Sequence, residues 1–264
     1  SSKTYFNSNS SLYDNWFWLE NINTTAENAT IYVYNYTINN WQLLDFNEQI
    51  GWSSRFNYTI DIYDQEGDNV NCSLFVMRNS TGMWEYVGSY LITGTPGVPT
   101  RGTCWVEYQG FTCADLGINY FKWEIRDAEK ANWYNTTPIN APKLRESIVT
   151  ITLTQGNNAI VNRTTGVTPL SVNVFDVEAG SYPSGTNVSF WVTHDNVNYQ
   201  FDTLIQTNLQ GNATYNFAPD CSYTVGIQRW KAGVTDACYV DVNITESNVT
   251  VVGWIRNDIL APNG

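Results

Sequence analysis

The sequence predicts an all-β protein made of two tandem seven-stranded sandwiches with partial units at both ends, and three observations carry that reading. The composition favours strands, with 15% aromatic and only 14% charged residues in a chain of 264. Apolar and polar residues alternate in short runs bounded by Gly, Asn and Asp. One stretch also occurs twice, as FNYTIDIYDQEGDNVNCSLFV at 56–76 and as PLSVNVFDVEAGSYPSGTNVSFWV at 169–192. The single run of helix formers, 126–131, is too short for a helix and reads as a turn.

In the first copy Tyr58, Ile60 and Ile62 alternate with Asn57, Thr59 and Asp61, the period of a strand with one buried face. Leu170, Val172 and Val174 repeat the pattern. An acidic turn follows each, and each turn feeds a second alternating run, Cys72-Leu74-Val76 or Val188-Phe190-Val192. The same logic places strands at 30–36, 55–63, 71–77, 84–92, 103–108, 119–125 and 132–136 in a unit spanning 28–146. A second unit, 147–246, takes strands at 149–154, 170–175, 187–193, 199–206, 212–217, 223–230 and 238–242. Seven short strands over roughly 100 residues is the pattern of an immunoglobulin-like sandwich. The two prolines in 137–143 predict an extended, stiff linker between the units.

The ends read as fragments. NWFWLE at 15–20 matches NYFKWE at 119–124, so 1–27 is expected to hold the last strands of a preceding unit. The first-strand pattern of 28–33 and 147–153 returns at 248–254, so 247–264 reads as the first strand of a following unit, or as a strand donated to another subunit. With no initiator Met, the chain reads as processed or excerpted from a longer one.

A formal charge of −12 with 13 Lys and Arg leaves no basic stripe for nucleic acid. No apolar run approaches the ~18 residues of a membrane span. Sequons of the N-x-[ST] type stand at Asn9, Asn23, Asn28, Asn35, Asn57, Asn71, Asn79, Asn135, Asn162, Asn187, Asn212, Asn243 and Asn248. That is about twice what this composition yields by chance, and it points to an extracellular surface carrying N-linked glycans.

The five cysteines, Cys72, Cys104, Cys113, Cys221 and Cys238, lack zinc-ligand spacing. In an oxidising exterior they form two bridges and leave one over. Within units, Cys221 pairs with Cys238, while Cys72, Cys104 and Cys113 compete for one bond; a turn favours Cys104 with Cys113. Asp64, Glu66 and Asp68 could gather calcium, which takes about six to eight oxygens. The simpler outcome is a solvated turn capped by Asp, as the second copy, with Asp176 and Glu178 alone, suggests. His194 is the only histidine, and no carboxylate pair stands on a distinctive motif, so no enzyme is expected. Numerous Trp and Tyr, some such as Tyr32 and Tyr34 on an outward phase, suit packing between units or against glycans, or platforms that stack on sugars.

The succession of an acidic turn, CSLFV, a Trp-Glu-Tyr strand and an aromatic strand ending in Trp123-Glu124-Ile125 resembles the tandem immunoglobulin-like repeats of archaeal cell-surface and secreted proteins. The resemblance covers most of both complete units. It implies a non-enzymatic stalk, sheath, surface layer or filament subunit whose partners are copies of itself, or alternatively an adhesin with calcium-rigidified loops. It also implies a bridge between a cysteine of the third strand and one of the sixth; Cys72 fits the first place, and 125–127 holds no cysteine.

Overall fold

The computed structural model describes residues 31–37, 40–45, 48–64, 67–127 and 133–253, and the chain divides into two compact units between Ser147 and Ile148. The expectations for 1–27, with Asn9 and Asn23, and those for Asn28 and Glu66 fall outside the described residues.

The first unit holds β1 (Ile31–Thr37), β2 (Asn40–Leu43), β3 (Gln49–Gly51), β4 (Phe56–Asp64), β5 (Val70–Met77), β6 (Trp84–Ile92), β7 (Thr100–Tyr108), β8 (Gly117–Asp127), β9 (Trp133–Asn135) and β10 (Ile139–Arg145). One sheet runs β2-β1-β4-β7; the other runs β3-β10-β8-β5-β6, with β9 beside β8. Between them lies a core of alternate residues, chiefly Phe56, Tyr58 and Ile60 of β4, Cys72, Leu74 and Val76 of β5, and Phe121 and Trp123 of β8. Each fully buried side chain of this size contributes about 1.5–3 kcal/mol.

The second unit holds β11 (Val149–Gln155), β12 (Ala159–Asn162), β13 (Thr168–Asp176), β14 (Asn187–Thr193), β15 (Tyr199–Gln206), β16 (Asn212–Phe217), β17 (Gly226–Val234), β18 (Val242–Asn243) and β19 (Ser247–Val252). Its sheets are β11-β13-β16 and β12-β19-β17-β14-β15, with β18 on β17. Apart from β2, which has no counterpart, strand order repeats that of the first unit. The 56–76 and 169–192 copies become β4–β5 and β13–β14, as the recurrence predicts.

The cores are equivalent in position but not in residue. Leu74 faces Trp123 across β5 and β8, whereas Phe190 faces Ala232 across β14 and β17. The larger partner stands on β8 in one unit and on β14 in the other, so the two interiors are close-packed with different side chains.

Three expectations are corrected. The 137–143 segment is no linker: β10 pairs with β8 and, in parallel, with β3. Its register shifts between Asn140 and Lys143, and this irregularity accommodates Pro142, which cannot donate to a ladder. The residues 247–252 neither begin a new unit nor leave the chain, because β19 lies between β12 and β17 of its own sheet. The 238–242 run is mostly irregular, and only its last residue enters a strand, the two-residue β18.

Candidate functional site

Each unit presents one outward face of its larger sheet on which aromatic and cationic side chains are interleaved. On β5 the buried residues alternate with Phe75 and Met77, which face outward. Register brings Tyr86 of β6 and Lys122 of β8 to either side of Phe75, and Trp84 beside Met77. Lys122 Nζ lies 5.2 Å from the ring centroids of both Phe75 and Trp84, and Phe75 meets Tyr86 edge-on at 5.6 Å. Glu124 holds the same ammonium at 3.3 Å. Trp84 remains 37% and Tyr86 55% exposed.

The second unit rebuilds this arrangement from different residues. Trp191 of β14 stands between Phe201 of β15 and Lys231 of β17, with Tyr199 two pairs along on the same face. Lys231 Nζ lies 5.4 Å from the Trp191 centroid and 4.9 Å from that of Tyr199, over which Arg229 also sits at 5.9 Å. Burial, and then a hydrogen bond donated to Glu246, raise the pKa of the Tyr199 hydroxyl, so it stays neutral and ring-like at any physiological pH. Phe201 is 59% exposed. A ring between a ring and an ammonium on one sheet face therefore occurs at equivalent places in both units. Such faces offer stacking to pyranose C–H groups and hydrogen bonds to their hydroxyls.

A bulge sits at the same place in both units, between Leu74 and Phe75 and between Phe190 and Trp191. It turns one edge-strand residue inward. In the first unit that residue is Val87, packed against the core. In the second it is Asp202, whose Oδ2 accepts from Tyr223 at 2.7 Å and Tyr215 at 3.1 Å, with His194 Nε2 3.6 Å from Oδ1. His194 stacks on Tyr223, with centroids 3.9 Å apart. The only histidine is thus part of an enclosed polar cluster, and two phenols occupy the carboxylate that would orient it as a base.

The aspartates that open the acidic turns, Asp64 and Asp176, are buried rather than solvated. Asp64 and Asp68 are 3% and 7% exposed, and the Asp68 amide donates to Asp64 Oδ2 at 2.5 Å. Asp176 is the expected cap, with Oδ1 accepting from the amides of Glu178 and Ala179 at 2.9 Å. Among the described residues no three His, Cys, Asp or Glu side chains converge as metal ligands.

The bridge pattern differs from both expected pairs. Cys72 is bonded to Cys104, joining β5 to β7 and so one sheet of the first unit to the other. Both lie on the buried phase of their strands, which places them face to face across the core. Cys104 is therefore not the partner of Cys113. Cys221 is an exposed free thiol and does not pair with Cys238. Cys113 is oxidised in a disulfide, and so is Cys238.

Of the sequon asparagines, Asn79, Asn135 and Asn243 are exposed, while Asn57, Asn71, Asn162, Asn187, Asn212 and Asn248 are half-buried. Asn35 lies in β1. Asn57 is less wet than its strand phase predicts, for its Oδ1 is buried. Asn79 Nδ2 donates to the Leu116 carbonyl at 2.6 Å.

No family profile and no curated protein matches the chain. Among solved structures it is similar to a tetra-tandem repeat in the extending region of a large adhesion protein, at 12% identity and TM-score 0.42, covering 84% of this chain and 49% of that one. It is also similar to red sea bream transglutaminase, at 13% identity and TM-score 0.30, with 78% and 30% covered. Fibronectin(III)-like modules of Clostridium thermocellum CbhA match at 10% identity and TM-score 0.31, with 78% and 90% covered. The chain spans about half the length of the adhesion-protein repeat. At these identities and scores the likenesses carry no weight for function.

Proposed function

We propose that the chain is a non-enzymatic structural protein of the cell surface, a stretch of repeated immunoglobulin-like sandwiches in a stalk, sheath, surface layer or extracellular filament of the archaeal kind. One observation supports this above the others: two units that share strand order apart from β2, bulge position and outward face are built on different core residues. Repetition that keeps architecture while letting residues drift suits a protein whose product is length and cohesion rather than chemistry at one centre. The disulfides suit an oxidising compartment and so support an extracellular setting. No helix among the described residues is long and apolar enough to cross a membrane. Antibody labelling of intact cells tests the reading. Gold particles along a surface layer or appendage support it; label confined to the cell interior overturns it.

A further inference from the structure

The interleaved faces carry a second regularity. Asn135 of β9 pairs with Glu124 of β8, two residues beyond Lys122; Asn243 of β18 pairs with Gly233 of β17, two residues beyond Lys231. Directly paired residues share a face, so each asparagine lies on the ring-and-lysine side of its sheet. Both begin sequons, Asn135-Thr136-Thr137 and Asn243-Ile244-Thr245, and in both the asparagine and the final threonine are exposed. A Cβ on Gly233 would fall 1.9 Å from Asn243 Oδ1, so only a glycine lets that side chain lie along the sheet.

We propose that the face of each unit is covered by the chain's own N-linked saccharide, borne on Asn135 over Phe75, Trp84 and Lys122, and on Asn243 over Trp191, Tyr199 and Lys231. The reach fits. With strands about 4.8 Å apart and a two-residue rise of about 6.8 Å, each asparagine lies about 8 Å from the lysine and about 12 Å from the central ring. The ring lies within the span of about two linked sugars, and Trp84, three strands and four residues from Asn135, lies about 20 Å away, within the span of about four. The pyranose C–H faces stack on the rings, and the ammonium donates to hydroxyls. An acidic polymer is the poorer occupant for a chain of net charge −12. Left bare on a surface protein, the same rings would be a site of unspecific association. The inference rests on the extracellular location and not on the mechanical role, so a freely secreted glycoprotein would sink the latter and leave this standing.

The test uses protein purified from its own source. Glycopeptide mass spectrometry should find Asn135 and Asn243 modified. Surface oxidation with N-bromosuccinimide, read by peptide, should then proceed roughly two- to three-fold faster at Trp84 in Asn135→Gln and at Trp191 in Asn243→Gln, because a sugar ring covers about half of an exposed indole face. Trp105, 46% exposed on β7 in the other sheet, should not change. Thr137→Ala and Thr245→Ala remove the sequons while keeping each asparagine, and should reproduce the result if either glutamine variant folds poorly. Unmodified asparagines overturn the proposal, as do unchanged oxidation rates. Protection of Trp84 and Trp191 in the native glycoprotein by added triacetylchitotriose also overturns it, since the face would then be open to a saccharide from outside the chain.

Discussion

The Cys72–Cys104 bond closes a loop with a sequence separation of 32 and ties the two sheets of the first unit. Chain entropy alone assigns such a loop about 3.7 kcal/mol of stabilisation. The second unit shows how to remove the bond without opening a hole, because the equivalent places are held by Val188 and Ala213, both fully buried. The double variant Cys72→Val, Cys104→Ala therefore keeps apolar packing and deletes only the cross-link. Native-state hydrogen exchange resolves the two units separately. The slowest amides of β4, β5 and β8 should exchange about 500-fold faster, the factor corresponding to about 3.7 kcal/mol. Those of β13, β14 and β17 should keep their rates. Acceleration below about fivefold in the first unit would refute the loop-entropy reasoning, and equal acceleration in both would refute the assignment of the bond to one unit.

Three further outcomes follow from particular side chains. Gln228 is fully buried, accepts from Thr193 Oγ1 and the Asn196 amide, and donates to both oxygens of Thr224. Gln228→Leu strands these partners and should cost about 2–4 kcal/mol in urea denaturation of the second unit; a loss under about 1 kcal/mol would show the network to be dispensable. Cys221 should take up one maleimide per native chain, with no further thiol released on unfolding without reductant; a second equivalent would contradict the cysteine states. Burial pushes Tyr108 and Tyr239 up to about 12, so the folded units favour the neutral phenols. Their stabilising effect is full below the ordinary value near 10 and is lost as pH rises from 10 to 12. Melting temperature should fall across that window; a melting temperature unchanged up to pH 12 would contradict the burial.

Strands with one wet and one buried face were legible because alternation records which side is dry. β5 reads Val70, Cys72, Leu74, Val76 against Asn71, Ser73, Phe75, Met77, and those are its buried and partly exposed sides. The closing strands were not legible. β10 carries Pro142, which suggests a linker until the irregular register beside it is known, and β3, its parallel partner, has only three residues. β19 was misplaced because Val249 and Val251 alternate as a first strand does, and pattern alone does not say which neighbour a strand pairs with. The Cys72–Cys104 bond could have been found from strand phase, since both cysteines fall on buried positions, whereas Cys113 sits in a short turn. The ring-and-lysine faces needed register. Lys122 and Phe75 are far apart in sequence, and only the β5–β8 ladder makes them neighbours.

The central claim, that repeated sandwiches serve a mechanical role, is tested most directly by electron cryomicroscopy of native material taken from the cell surface. The account predicts a fibre or layer whose periodic density accepts these two sandwiches as its repeating substance. Dispersed single particles, with no periodic assembly in any native preparation, would contradict it.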